Sequence, residues 1–259
     1  MIRGLYTAVS GLITQEAKQD VITNNMANAN TNGYKSDDLK IKNFGDVYIE
    51  NRDRIAGNRN VTSRLGKLSY GSKIDETYTD FTQGDLVNTD EDTDFALSGS
   101  GFFTVQGTVN GKAANYYTRD GHFHVSNDGY LVNDSGYRVL GRNAATNALE
   151  PIKVDNSKMT VDANNNIYLD GRLAYNFGIV DFNNYNALQK QGDNLYSGNN
   201  PIAAQQTTVK QKSLEKSNVN IINSMVDMMS VMRNFESDQK VVQTMDETLG
   251  KAVNDVGKI

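Results

Sequence analysis

Residues 218–256 read NVNIINSMVDMMSVMRNFESDQKVVQTMDETLGKAVNDV. Ile221, Met228, Phe235, Val242, Leu249 and Val256 recur every seven residues without a miss. A companion series three residues earlier runs Asn218, Met225, Met232, Gln239, Asp246 and Val253, apolar at first and polar midway. A sustained seven-residue apolar repeat is the pattern of a helix lying along another helix in a coiled coil. Ser217 or Asn218 can cap the start, and Gly257 lies just past the end. Met at this spacing favours packing over a promiscuous peptide groove.

The other end of the chain carries a second helical pattern. Across residues 5–30, Leu5, Ala8, Val9, Leu12, Ile13, Ile22 and Met26 recur at three- and four-residue steps. The helix runs into Asn28-Ala29-Asn30-Thr31-Asn32-Gly33, where Gly33 is expected to stop it in the left-handed conformation. On that expectation Gly33→Val is costly and Gly33→Asn far milder. The amides of Asn24, Asn25, Asn28, Asn30 and Asn32 have two readings, a capped polar helix end or hydrogen bonds between neighbouring helices of an assembly. At 1.5 Å per residue the two helices are about 39 and about 58 Å long, so the first cannot cover the second's seam alone. Other copies of the chain can cover the remainder.

Between the ends the period drops to two. Phe102-Phe103-Thr104-Val105, Tyr116-Tyr117-Thr118, His122-Phe123-His124-Val125, Tyr130-Leu131-Val132 and Tyr137-Arg138-Val139-Leu140 are strand candidates. Asn127-Asp128-Gly129 and Asp134-Ser135-Gly136 separate three of them as hairpin turns. The pattern continues through Ile152-Lys153-Val154, Met159-Thr160-Val161, Ile167-Tyr168-Leu169 and Phe177-Gly178-Ile179-Val180. Residues 36–75 and 181–214 show little period and are expected to be extended connecting segments. The fold class expected is mixed α and β. A terminal helical coiled-coil domain (1–35 with 215–259) is joined by the connecting segments to a β-rich central domain (76–180).

Composition narrows the function. The 259 residues are 38% hydrophobic, with 32 Asn, 22 Gly and only 2 Pro, so turns depend on Asn, Asp and Gly. A net charge of −5 argues against a general nucleic-acid binder, and no apolar run approaches a membrane span. No cleavable leader is expected, because Thr14-Gln15-Glu16 breaks the first apolar stretch. The absence of Cys removes disulfides, thiolate catalysis and the common zinc sites.

No motif carries convincing enzymatic chemistry. His122 and His124 share a strand face, but Asp120 is the nearest third ligand and an ordinary surface pair is expected. Asp90-Glu91-Asp92 with Asp94 reads as a solvated turn. Asp162-Ala163-Asn164-Asn165-Asn166 opens like a calcium loop but has Ile167 where the sharp turn needs Gly and Leu173 where the bidentate Glu belongs. Gly99-Ser100-Gly101 lacks the third glycine of a dinucleotide fingerprint. No catalytic residue, cofactor or metal ligand is assigned.

Several motifs resemble one known family, the bacterial flagellar rod and hook axial proteins. They are Gly4-Leu5-Tyr6-Thr7-Ala8-Val9-Ser10-Gly11-Leu12 and Asn24-Asn25-Met26-Ala27-Asn28-Ala29-Asn30-Thr31-Asn32-Gly33-Tyr34-Lys35 at the start. Phe81-Thr82-Gln83-Gly84, Phe95 to Phe103, Tyr117-Thr118-Arg119-Asp120-Gly121 and Asp128-Gly129-Tyr130-Leu131-Val132 continue the match. Leu188, Gly192, Asn194-Leu195-Tyr196, Leu214-Glu215-Lys216-Ser217-Asn218-Val219-Asn220 and residues 232–249 complete it, most similar to rod proteins of the distal type. Met232 stands where the family usually has Gln, and Ser224 where it usually has an acidic residue.

The resemblance implies a structural subunit exported unfolded through the flagellar type III apparatus to the extracytoplasmic rod of the basal body. There it would polymerise helically with itself, next to adjacent rod and hook proteins, into the drive shaft that carries torque from motor to hook. It also implies that the terminal helices pack in the inner tube. The expected assembly interface is Leu5, Leu12, Ile22, Asn24, Asn25, Met26 and Asn28 from the first helix. Ile221, Met225, Met228, Met232, Phe235, Val242, Leu249 and Val256 are its counterparts in the second. An open contact between copies gives such a filament. A secreted β-rich adhesin or carbohydrate-binding module is the alternative, and it leaves the six heptads unexplained. A cell-wall hydrolase would need paired carboxylates in a cleft, and the nearest acidic cluster lies in a turn.

Overall fold

The computed structural model describes residues 2–56, 59–109, 112–204 and 206–256, with side chains at 2–3, 52–62, 108–113 and 255–256 outside the description. Gly257 therefore lies outside the described residues. The chain divides into two compact units, one of Met1–Met26, Asp37–Tyr78 and Ile221–Ile259, the other of Ala27–Ser36 and Thr79–Asn220.

The first unit holds both long helices, α1 (Ile2–Ala27) and α2 (Ile221–Val256). Between them in sequence come β1 (Asp37–Asn43), β2 (Val47–Ala56), β3 (Arg59–Leu68) and β4 (Ser72–Thr79), paired β1 with β4 and β2 antiparallel with β3. Segment 36–75, expected to be connecting, is thus extended but laddered. Its sequence shows no period because the described side chains of these pairs form no buried face: Leu39 is the one buried side chain described in β1, and Ile41, Val47, Tyr48, Leu65, Leu68 and Ile74 are exposed. Surface pairs trim these ladders, Lys40 with Glu76 at 2.8 Å and Lys42 with Asp75, while Arg64 and Lys67 lie over the Tyr48 ring.

The second unit is β-rich. It begins with β5 (Leu86–Asn88), β6 (Phe95–Ser98), β7 (Phe103–Val109), β8 (Lys112–Thr118), β9 (Phe123–Val125) and β10 (Leu131–Asn133). Next come β11 (Arg138–Asn143), β12 (Leu149–Pro151), β13 (Met159–Val161), β14 (Asn166–Leu169) and β15 (Arg172–Phe177). The last strands are β16 (Val180–Asp181), β17 (Gln189–Gly192), β18 (Leu195–Ser197), β19 (Ile202–Ala203), β20 (Thr208–Gln211) and β21 (Ser213–Glu215). The main sheet runs β13-β14-β15-β11-β7-β8-β18-β17, with β10 and β12 on β11 and β9 on β10. Both expected hairpin turns form, with Gly129 at φ +80 and Gly136 at φ +78. Pro151 sits on β12, whose one partner is β11, where a missing N–H costs little.

Three consecutive pairs show how this sheet is packed. Phe103, Tyr116 and Leu195 join one buried cluster with Phe95, Phe123 and Phe177, while their neighbours Phe102, Tyr117 and Tyr196 join a second with Phe182. Adjacent strand residues point to opposite faces, so this part of the sheet is covered on both sides. Residues 181–214 supply Phe182, Leu195, Tyr196, Val209 and Leu214 to the interior. Their strands are two to four residues long and pair with distant ones, β18 with β8 and β20 with β6, which hides them from any periodicity search.

Candidate assembly site: the paired ends of the chain

In the first unit α1 and α2 lie side by side. A Cβ built on Gly4 would stand 3.0 Å from Met245 Cε, and one on Gly11 would stand 3.0 Å from Asp238 Oδ2. Seven residues forward on one helix answer seven backward on the other, so the pair is antiparallel, and the two glycines admit the longer side chains. On its other flank α1 meets residues 70–72, with Thr7 Oγ1 donating to Tyr70 O and Ser72 N to Ser10 Oγ.

The burial of α2 revises the expected seam. Met228, Phe235, Val242 and Leu249 are half-buried, Ile221 is slightly more exposed, and the side chain of Val256 lies outside the description. The companion row lies three residues later, not earlier: Ser224, Val231, Asp238, Met245 and Ala252 are buried or half-buried, Val231 at 3%. Met225, Met232 and Val253 are exposed at 49, 47 and 70%. Apolar content does not choose between the rows, each of which has three apolar residues between 224 and 253; the later row is the one whose Asp238 and Met245 lie against Gly11 and Gly4 of α1. The methionines instead join Ile222, Val226 and Met229 in an exposed apolar stripe on the first half of α2.

On α1, Leu5, Leu12 and Met26 are half-buried, Ile22 is buried and Asn24 is exposed, while Asn28, just past the helix, is half-buried. Asn25 is used within the subunit. Its amide donates to Asp37 O at 2.7 Å and accepts from Asp37 N at 3.0 Å, fixing the start of β1. Asn28 accepts from Thr31 N and Oγ1 in the turn that follows the helix. The helix ends at Ala27, six residues before Gly33, so Gly33 is not its cap. It does hold φ +65, for another reason: its N–H donates to Glu215 O at 2.7 Å, and its Cα rests against the Arg119–Asp120 peptide.

That contact belongs to a buried knot in the second unit. Glu215, Lys35 and Arg119 are 1, 0 and 3% exposed. Lys35 Nζ lies 2.5 Å from Glu215 Oε1 and donates to Thr82 O at 2.7 Å; Arg119 reaches Glu215 Oε2 at 3.3 Å, and Gly84 N donates to Oε1 at 3.0 Å. Burial pushes the Lys35 ammonium below its ordinary value against the pull of Glu215. Asn218 extends the network, accepting from Ser36 N and donating to Asp80 O, while Asp80 N donates to Ser36 O. The segments 32–36, 80–84 and 215–218 of the second unit are tied together here. Sequence reasoning missed the three charged residues, because charge normally signals surface.

The sequence-level candidates for chemistry are spread out. His122 and His124 both turn to Asp134, at 3.0 and 3.8 Å, while Asp120 accepts from His122 N. Asp92 pairs with Lys212, and Asp94 is buried with one oxygen unpartnered. Asp162 closes its own turn, accepting from Asn164 N, Asn166 N and Tyr168 OH. Among the described residues no three acidic or histidine side chains are grouped to hold a metal ion. No described helix is long and apolar enough to cross a membrane.

Burial, aided by Asp134 and Asp94, raises the Asp120 carboxyl to about 6, against the hydrogen bond from His122 N. For His122 burial acts downward, but Asp134 outweighs it and the net shift is upward. An acid whose folded pKa is raised stabilises the fold below its ordinary value of 3.8, and that contribution is lost as pH rises through about 6. The raised histidine has the same sign, its contribution being lost as pH rises through its folded value. Stability to unfolding at pH 5 should therefore exceed that at pH 7.5, by about 1–1.5 kcal/mol for Asp120, the rest of its contribution being lost already between pH 3.8 and 5. Asp120→Asn should flatten most of this slope; an unchanged slope would contradict the assignment.

Comparison with known proteins follows the same three regions. Family models match residues 5–35 (flagella basal body rod protein), 96–172 (flagellar hook protein FlgE/F/G D1 domain) and 210–255 (flagellar basal body rod FlgEFG protein C-terminal). The chain is 32% identical to the flagellar hook-basal body complex protein FlhO of Bacillus subtilis, across all of both chains. It is 31% identical to the flagellar basal-body rod protein FlgG of the same organism (98% of this chain, 99% of that one) and 33% to FlgG of Borreliella burgdorferi (98% of each). A solved hook protein, FlgE2 of Helicobacter pylori, aligns over 31% of this chain and 24% of its own at 22% identity, with a TM-score of 0.24.

Proposed function

Because the chain belongs to the flagellar basal-body rod protein family, we infer that it is a structural subunit of the rod in the flagellar basal body. We propose further that it assembles with copies of itself and with adjacent flagellar proteins into a helical shaft that carries torque. The terminal helices are the assembly surface, packed as a coiled coil. The observation that carries this is the half-covered α2: one face meets α1, while Ile222, Met225, Val226, Met229 and Met232 stay in water. Exposed apolar stripes of this kind mark interaction surfaces, and a heterologous, non-closing contact between copies gives an open filament.

On this reading Leu5, Leu12, Ile22 and Phe235 hold the helix pair, and Met225 and Met232 face the next subunit. Export through the flagellar type III apparatus and the lack of any catalytic role are parts of the same proposal. The adhesin alternative gains no support from the relatives. Phe235→Asp places a charge in the half-buried row, and it is expected to abolish assembly and motility while the second unit still melts cooperatively. Analytical sedimentation of the concentrated variant, with a motility assay, checks this. Normal assembly by the variant would remove the helices from the mechanism.

A further inference from the structure

Residues 32–36 are held as a bound peptide is held. Every one of the five is gripped by groups from elsewhere in the second unit, through side chains and backbone alike. Asn194 donates to Asn32 O at 3.0 Å, and Gly33 N donates to Glu215 O. Lys190 Nζ lies 4.6 Å above the Tyr34 ring and donates to Lys35 O at 3.1 Å. Lys35 enters the buried carboxylate, and Ser36 is held at both N and O, by Asn218 and Asp80. Tyr34 and Lys35 are 4 and 0% exposed. The segment joins no strand ladder.

We propose that this groove is a peptide-recognition site for Asn32-Gly33-Tyr34-Lys35-Ser36, and that a second copy of the chain can fill it with its own segment. The gripping residues lie at 80–82, 190–194 and 215–218, so none depends on the helices for its place in sequence. An incoming segment makes the same contacts as the resident one. Exchange then costs no contact energy, and occupancy is decided by relative effective concentration. The proposal rests on the reading of the chain as one that meets copies of itself. Its test needs no filament, so the two can fail separately.

The probe is a fluorescent synthetic peptide of residues 28–40. The first acceptor is the full chain carrying Gly33→Val and Lys35→Met, which disables the resident segment. Saturable binding at least ten-fold tighter than to the unmodified chain is expected, and a Lys35→Met peptide should bind at least ten-fold more weakly. A folded acceptor that ignores the peptide overturns the proposal. A second acceptor guards against misfolding: the full chain with a protease site placed in residues 44–46 and cut after folding. Labelled peptide should enter it after cutting and not before. No uptake after cutting overturns the proposal whatever the first acceptor does.

Discussion

Replacing Glu215 by alanine is expected to cost the second unit about 3–5 kcal/mol, the usual penalty for removing one partner of a buried ion pair. The loss leaves the Lys35 ammonium and the Arg119 guanidinium buried beside each other with no carboxylate between them. It also strips Gly84 N of its acceptor. Nothing near the site offers water to the stranded charges, since both are at most 3% exposed. Urea unfolding followed by tyrosine fluorescence measures this directly, the chain having 13 Tyr and no Trp. Lys35→Met alone should be damaging for the mirror reason, leaving Glu215 with Arg119 as its one ionic partner. The Lys35→Met/Glu215→Ala pair should lose less than the sum, because the residues act on one another. A cost below about 1 kcal/mol for Glu215→Ala would mean that the pair is solvated in solution and the knot is not closed.

Gly33 carries the second large effect. Asn ordinarily tolerates positive φ, and from sequence Gly33→Asn is expected to be mild. The structure reverses that expectation. A Cβ at this position falls against Asp120 N and lies 2.6 Å from Arg119 C and 2.7 Å from Asp120 Cα, all backbone atoms that have no rotamer to escape into. Gly33→Asn and Gly33→Val should therefore both cost more than about 2 kcal/mol, as overpacking against fixed backbone does. Gly136 is the control: it holds φ +78 with no atom within 4 Å of a built Cβ, so Gly136→Asn should cost less than about 1 kcal/mol. A mild Gly33→Asn beside a severe Gly33→Val would restore the simple left-handed turn and remove the close approach.

These two sites also show where sequence reading stops. The heptads of α2, the helical run of α1 and the turns at Gly129 and Gly136 were legible because each is local and repeats with a known period. The pairs Phe102-Phe103 and Tyr116-Tyr117 were visible as strands, but not as a sheet covered on both faces, since that depends on residues 182 and 196 arriving from far along the chain. Segment 37–79 had no period to find because the described side chains of its ladders are almost all exposed or half-buried. The row beside Phe235 is not legible from apolar content, since the rows at 225–253 and 224–252 each have three apolar residues, and the glycines of α1 opposite Asp238 and Met245 decide between them. Gly4 and Gly11 were in view as part of a family motif, yet their purpose needs the partner helix. The knot was the least legible feature: Lys35, Arg119 and Glu215 are far apart in sequence, and each alone reads as surface.

Electron microscopy of the concentrated full-length protein, beside the same chain ending at Asn220, tests the central claim most directly. The full chain should form filaments of indefinite length. The shortened chain has lost α2, with both the face that meets α1 and the exposed methionine stripe, and should remain as separate particles at the same concentration. Filaments formed equally by the shortened chain would place the assembly contact outside the terminal helices and contradict the account.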